Sequence, residues 1–497
     1  MNITKGVEQA ALFFPDKAAV IFEDKTITYR ELNDGSCRLA NAFSARGIQK
    51  GDRIALYLPN IPEFIFCYLA ALKIGAIAVS VNAMLKFLEL EYLLNDSGAR
   101  ILCTTGELLA NVKKDQYPSL EHVLICEGET GGNPSISSWM EQETGQCRSA
   151  DMDRDDPAAL LYTSGTTGKP KGAALTHGNV TSNCWSTVHQ AGYTPDDRAI
   201  LFLPLFHVFA QNFIMNAAFF ACSTIVLFRR FVKDQVLESI HEKKITMFFG
   251  VPAIYIDLLN TDLSSYDLSS IRYEFSAAAS MPREISGLWF KTFNRPINEG
   301  YGLTECSPSA CYNHNFRHKH GSVGTPVENV DLKIMDVDDK EVPAGEWGEV
   351  CIKGPGVMKG YWNRPKETEQ TLRNGWLHTG DTGTMDEEGY VFIVDRIKDM
   401  INASGFKVWP AEVEQYLYRH PAIREIAVYG VPHPRKGEAV KASIVLKDGA
   451  HATSDEIIAY CRENMAAYKV PSFVDFIHEL PKSATGKVLK RVLRDQR

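Results

Sequence analysis

The chain reads as an α/β protein: a large N-terminal domain of two α/β subdomains plus a β-rich subdomain, with a small α+β C-terminal domain. Three observations predict this. Short apolar runs alternate with helical stretches from residue 53 to residue 275. Such alternation means βαβ units and a mostly parallel sheet. Turn residues then become dense between Gly321 and Ile393, as in a small β-rich subdomain. A charged break, Asp395-Arg-Ile-Lys-Asp399, finally precedes a compact set of helices and strands. The expected division is 1–394 and 395–497.

In order, residues 18–32 open with a hairpin whose turn is Glu23-Asp-Lys25. Thr28 and Glu31 have capping-box spacing for the helix that follows. Strands are expected at 53–58, 76–80 and 100–103, with helices at 64–73 and from Leu88. The apolar run 158–161 reads as a buried strand. Runs at 198–203, 223–228, 246–249 and 273–275 suggest the second α/β half. Beyond the break, helices are expected at 411–419 and 454–465, and strands at 423–428, 440–445 and 473–477. No short repeat is present, which excludes a solenoid.

With 497 residues, 45% of them hydrophobic and 23% charged, the composition is that of a soluble globular protein larger than one core. A net charge of −8 argues against general nucleic-acid affinity. The 11 cysteines show no Cys-x-x-Cys and no Cys/His cluster, so they are expected as reduced thiols in a cytoplasmic protein. The N-terminus has no apolar signal core. Two long apolar stretches, 64–81 and 205–228, are interrupted by Lys73 and Gly75, and by His207, Gln211, Asn212 and Asn216. Each fits a buried helix followed by a buried strand better than a membrane span.

Chemistry concentrates first in Tyr162-Thr-Ser-Gly-Thr-Thr-Gly-Lys-Pro-Lys-Gly172. Gly165, Gly168 and Gly172 permit tight turns and close approach to a ligand. Thr163, Ser164, Thr166 and Thr167 offer rotatable hydroxyls, and Lys169 and Lys171 bring positive charge. The combination suits phosphate. It is not a Walker A loop, because Pro170 follows Lys169 where a helix would have to open. Loop amides and hydroxyls must do the gripping, as in an anion nest. A second string, Asn298-Glu299-Gly300-Tyr301-Gly302-Leu-Thr304-Glu305, offers an aromatic face for adenine, a hydroxyl for phosphate and a hard oxygen ligand for Mg²⁺.

The eleven-residue loop closely resembles the phosphate loop of the adenylate-forming enzymes, which include acyl-CoA synthetases, firefly luciferase and peptide-synthetase adenylation domains. The 298–305 string resembles the family's second nucleotide motif. The resemblance covers nearly the whole chain, with the motifs in family order, and implies further roles. Residues 275–282 resemble the segment lying between adenine and the acyl group, with Ala278 where glycine is frequent. Trp376-Leu-His-Thr-Gly-Asp381 resembles the ribose-binding motif, so Asp381 and Arg396 are the implied ribose contacts. His207 matches the histidine at the carboxylate end of the acyl pocket. No aspartate for an amino group lies between Leu203 and Ala221, and the apolar run 206–220 suits a hydrocarbon tail. Lys487, in Pro481-Lys-Ser-Ala-Thr-Gly-Lys487, resembles the lysine essential for adenylation. Ser404, Gly405 and Phe406 match the turn lining the pantetheine tunnel, and Lys398 takes the hinge position. Residues 376–401 resemble the signature of fatty-acyl-CoA synthetases, including Asp395 before Arg396.

The expected activity is therefore ATP-dependent ligation of a medium- or long-chain fatty acid to coenzyme A through an acyl adenylate, with Mg²⁺. Two alternatives stand beside it. One is loading of an acyl-carrier protein by the same first step. The other is a nucleotide- or lipid-binding regulator without turnover, against which Lys487, Glu305 and Asp381 argue.

Overall fold

The computed structural model describes residues 1–163, 169–434, 437–484 and 486–495. Two large sheets organise the N-terminal region. The seven-stranded sheet has the order Gly360–Tyr361, Lys171–Thr176, Pro157–Thr163, Ile77–Ser80, Arg53–Leu56, Ile101–Thr105, His122–Glu127. From Pro157–Thr163 through to His122–Glu127, neighbouring strands run parallel. The nine-stranded sheet has a parallel middle built from Ala18–Phe22, Thr224–Leu227, Arg198–Leu201, Met247–Gly250, Tyr273–Ser276 and Asn298–Gly302. Ile77–Ser80 and residues 158–161 are buried at every position. That is the mark of strands covered on both faces.

The expected helices and strands are present with ends shifted by a few residues. The hairpin Ala18–Phe22 and Lys25–Thr28 is followed by a helix whose Thr28 and Glu31 form the capping box. Its sheet membership differs from chain order: Ala18–Phe22 pairs with Thr224–Leu227, in the sheet of the second half. The stretch 64–81 resolves into the buried helix Pro62–Lys73 and the strand Ile77–Ser80. The stretch 205–228 holds a surprise. Phe209–Asn216 winds as a π-helix before the short α-helix Ala217–Phe220 and the strand Thr224–Leu227. π-Helical turns are rare and occur frequently at functional sites. Among the described residues, no helix is long and apolar enough to cross a membrane.

The glycine-dense region forms a five-stranded sheet from Asp331–Met335, Gly348–Lys353, Trp376–Met385, Leu372–Arg373 and Val391–Arg396. Gly360–Tyr361 leaves this region to pair with Lys171–Thr176. The C-terminal region has its own sheet, in which Ile423–His433 and Gly437–Leu446 form the long pair, backed by the helices Pro410–Leu417 and Ser454–Asn464.

The thiols depart from expectation in one place. Cys37 and Cys147 are joined as a disulfide across 110 residues. The helix Tyr29–Ala45 turns Cys37 toward the segment that carries Cys147, a proximity no local spacing announces. The other nine cysteines are free, and all but Cys222 are buried.

Candidate active site

The strand Pro157–Thr163 ends where the phosphate-loop string begins, and Lys171–Thr176 returns antiparallel to it. The string thus joins two strands, as the rejection of a Walker A loop requires. Ser164, Gly165, Thr166, Thr167 and Gly168 lie outside the described residues. Both stems of the loop are held by groups the sequence reading did not single out. Tyr162 Oη donates to the buried Asp96 carboxylate at 2.8 Å, and Arg364 donates to its other oxygen at 2.5 Å. Tyr92 Oη donates to the Pro170 carbonyl at 3.0 Å, while the Lys169 ammonium sits over the Tyr92 ring.

Across from Thr163 lies Glu305, on the short 3₁₀ turn Thr304–Cys306. Its Oε1 accepts from Tyr361 Oη at 2.8 Å and faces Thr163 Oγ1 at 3.4 Å. Tyr361 is the residue carried here by the Gly360–Tyr361 strand, and the Lys171 ammonium lies over its ring. Only long-range pairing brings Tyr361 to this place, so no local signal marks it.

The strand Asn298–Gly302 supplies the next wall. A Cβ on Gly302 would fall 1.8 Å from the Pro308 carbonyl oxygen, so nothing larger than glycine fits. Tyr301 Oη donates to Asp381 Oδ2 at 2.6 Å, and Arg396 Nε lies 3.4 Å from Asp381 Oδ1. Burial and the Asp381 charge raise the Tyr301 phenol far above its usual range, so it stays a donor. Glu299 is buried beside the 277–281 turn. Burial pushes its carboxyl up to about 8, against the Met281 amide and the Arg283 charge, and Oε1 has no hydrogen-bond partner. Asn298 is different: its amide donates to Asn315 and to the Glu274 carbonyl, which commits it to the sheet. Ala278 has φ of 70°, the left-handed region in which glycine is at ease.

His207 sits at the mouth of the π-helix. Its Nδ1 accepts the Phe209 amide at 3.3 Å, which leaves the ring proton on Nε2. Burial, with the Lys487 charge adding to it, holds the imidazole down at about 4, so it is neutral at pH 7. Behind it Phe209 and Phe213 pack on Phe275, the latter pair stacked at 4.5 Å, with Phe249 and Tyr273 alongside.

Lys487 comes from the C-terminal region, on a loop tied by Ser483 N–H to the Lys487 carbonyl at 2.8 Å. A Cβ on the neighbouring Gly486 would approach Val251 to 2.8 Å, so this loop lies against the N-terminal region. Lys487 remains accessible to solvent. Protein atoms around the ammonium strip it of water even though the residue as a whole is exposed, and this desolvation with the Arg396 charge lowers it to about 8, opposed by Asp381 and Asp399. Two further contacts fix this pose: Arg419 Nε to Glu284 Oε1 at 2.8 Å, and Trp347 against Trp409 at 5.7 Å.

The Ser404-Gly405-Phe406 turn is not part of this gathering. Ser404 and Gly405 have positive φ, Phe406 is exposed, and its ring stacks on Tyr468 of the same module at 4.7 Å. Between the two regions, Ile397–Asp399 forms a 3₁₀ turn in which Asp399 is paired with Arg494. Asp395 accepts the Ala411 amide at 3.0 Å, at the start of the helix Pro410–Leu417. Its carboxylate thus serves a helix N-terminus.

The AMP-binding enzyme family matches residues 7–362, and the AMP-binding enzyme C-terminal domain matches residues 412–487. A long-chain-fatty-acid–CoA ligase of Bacillus subtilis (strain 168) is 38% identical, covering 98% of this chain and 93% of its own. A feruloyl-CoA synthase of an Amycolatopsis species is 36% identical, covering 97% of this chain and 96% of its own. The crystal structure of the anthranilate CoA ligase AuaEII in complex with anthranoyl-AMP superposes with a TM-score of 0.94 at 32% identity, covering 99% of this chain and 96% of that one. The chain belongs to the AMP-binding enzyme family and is an adenylate-forming, AMP-forming acyl-CoA synthetase.

Proposed function

We propose that the protein activates an apolar monocarboxylic acid, a medium- or long-chain fatty acid, and that the pose described above is the adenylating one. The single observation carrying the adenylating pose is the convergence of Lys487 with Asp381, Arg396 and His207; the likeness to a long-chain-fatty-acid–CoA ligase supports the fatty substrate. In the first step a carboxylate oxygen attacks the α-phosphorus of ATP. The bond from that phosphorus to the β-bridging oxygen breaks, and pyrophosphate leaves. Two anions must meet, so positive charge fixed in place lowers the barrier. Lys487 supplies it at the carboxylate and α-phosphate, and Lys169 and Lys171 flank the phosphate loop. Asp381 accepts from the ribose hydroxyls, with Arg396 beside it. Tyr301 lies against adenine. Glu305 fits Mg²⁺, since its hydrogen bonds fall on one oxygen at the phosphate-loop stem and such an ion usually takes one or two carboxylates plus phosphates. When bound, that ion would neutralise phosphate charge.

In the second step the thiol of coenzyme A attacks the acyl carbonyl, loses its proton and expels AMP. The Ser404–Phe406 turn serves that step after the C-terminal module, taken as 395–497, rotates about Lys398. Neutral His207 donates from Nε2 near the carboxyl group in both steps. The nine free cysteines suit a reducing, cytoplasmic setting, and the Cys37–Cys147 disulfide weighs against it.

A second reading, an aryl acid as substrate, is favoured by the aromatic wall of Phe209, Phe213, Phe249 and Phe275. Pyrophosphate release across a panel of fatty and aryl acids, with coenzyme A or an acyl-carrier protein as acceptor, decides among these. Saturating turnover with fatty acids and coenzyme A is expected. Activity confined to aryl acids would overturn the fatty-acid assignment, and transfer to carrier protein alone would overturn coenzyme A.

A further inference from the structure

The β-rich subdomain holds a cluster that the adenylation reading leaves unused. Glu349 and Cys351 are two apart on the strand Gly348–Lys353, where the register against the neighbouring strand shifts between them. His378 lies on the adjacent antiparallel strand as the register partner of Cys351. Its Nδ1 is 2.8 Å from Glu349 Oε2 and 3.4 Å from Cys351 Sγ, and the three donor atoms lie within 4.8 Å of one another. One sulfur, one imidazole nitrogen and one carboxylate oxygen make a three-ligand Zn²⁺ set that leaves a fourth position for water.

The outer shell is present as well. His378 Nε2 is buried without a hydrogen bond, and Asp339 Oδ1 is 3.8 Å from it. Arg373 and Asn374 hold Asp339 in place. A metal on Nδ1 moves the ring proton to Nε2, toward Asp339, in the carboxylate–histidine–metal arrangement. The imidazole stays neutral in this exchange, and the only proton released is that of the Cys351 thiol.

The cluster is wired to the nucleotide site. Glu349 Oε1 accepts the Gly380 amide at 2.9 Å, and Gly380 directly precedes Asp381. One carboxylate therefore holds both His378 and the turn that presents the ribose ligand. We propose that Glu349, Cys351 and His378 bind Zn²⁺, and that binding draws Glu349 away from Gly380 and lowers affinity for ATP. The inhibitory consequence rests on the adenylation reading; the metal site does not.

The test uses the full chain with Co²⁺ as the probe. Thiolate-to-cobalt charge transfer gives a near-ultraviolet band, which Zn²⁺ is expected to displace. Cys351→Ser and Cys351→Ala are compared, so that a folding failure of one leaves the other. Both are expected to lack the band and to need at least about tenfold more Zn²⁺ for the same loss of ATP-dependent pyrophosphate exchange. No band in the unmodified protein, or an undiminished band in either folded variant, overturns the site. A band that disappears while inhibition is unchanged in both variants overturns the coupling to Asp381. Because the band needs no turnover, it is read even if the enzyme fails to adenylate the acids tried.

Discussion

At Lys487, desolvation of the ammonium and the Arg396 charge both act against the charged form and lower it to about 8, although the residue as a whole is exposed. Its charge is present below that value and is lost above it. The kcat/KM of adenylation for ATP is therefore expected to fall as pH rises through about 8, since this ratio reports the free enzyme. In Lys487→Arg the fall should disappear, because guanidinium stays charged; a pH profile identical to that of the unmodified enzyme would contradict the assignment. Lys487→Ala should abolish adenylation and leave transfer from a supplied acyl adenylate to coenzyme A largely intact. Single-turnover measurement of each half-reaction separates the two. Asp381→Ala removes a charged acceptor from the ribose and strands the Tyr301 hydroxyl. Losing hydrogen bonds to a charged group costs about 1.5–3 kcal/mol, roughly ten- to a hundredfold in ATP affinity. Calorimetry should find the affinity for the acid unchanged, and equal weakening of both ligands would count against a ribose role.

Among the elements, the helix Phe87–Ser97 has a larger part than its position suggests. Its Asp96 holds Tyr162 just before the phosphate loop, and its Tyr92 holds Pro170 just after it. Asp96→Ala takes the carboxylate from Arg364, which keeps Tyr92 and the Asn363 carbonyl, and from the Tyr162 hydroxyl, and losing a buried partner costs on the order of 1–3 kcal/mol. The KM for ATP in pyrophosphate exchange should rise by about tenfold, while coenzyme A transfer from supplied adenylate is preserved. A proportional loss in both half-reactions would mean general destabilisation instead. Such cross-chain supports mark the limit of what the sequence discloses. The runs that became Ile77–Ser80 or Pro62–Lys73 were legible because a strand or helix writes its own periodicity. The loop and the 298–305 string announce themselves through residue types suited to phosphate and nucleotide, and Lys487 is marked only by the family resemblance. Tyr361, Asp96, Glu349 and the Cys37–Cys147 pair were not, since each acts through a neighbour distant in the chain. The π winding of Phe209–Asn216 was hidden too, because one extra residue per turn leaves an apolar run looking the same. Asp395, which the resemblance implies as part of a fatty-acyl signature, accepts the Ala411 amide, a local bond that leaves that implication as it stands.

For the whole molecule, the decisive fact is that one module carries two motifs and presents only one of them. Lys487 lies among the charges of the N-terminal site, whereas Phe406 points its turn to solvent and stacks on Tyr468. The contacts across this arrangement include Gly486 against Val251, Arg419 with Glu284 and Trp347 with Trp409, the last two partly exposed, as suits an interface expected to part. Rotation about the Ile397–Asp399 turn would exchange the two motifs. Lys398→Pro fixes φ near −65° and removes an amide donor at the pivot, so it should preserve the present pose and block the other. Rapid-quench mixing of this variant with ATP, acid and coenzyme A tests the two-pose account most directly. The account predicts a burst of pyrophosphate matching the enzyme concentration, bound acyl adenylate and no acyl-CoA. Acyl-CoA formed at the unmodified rate would contradict it.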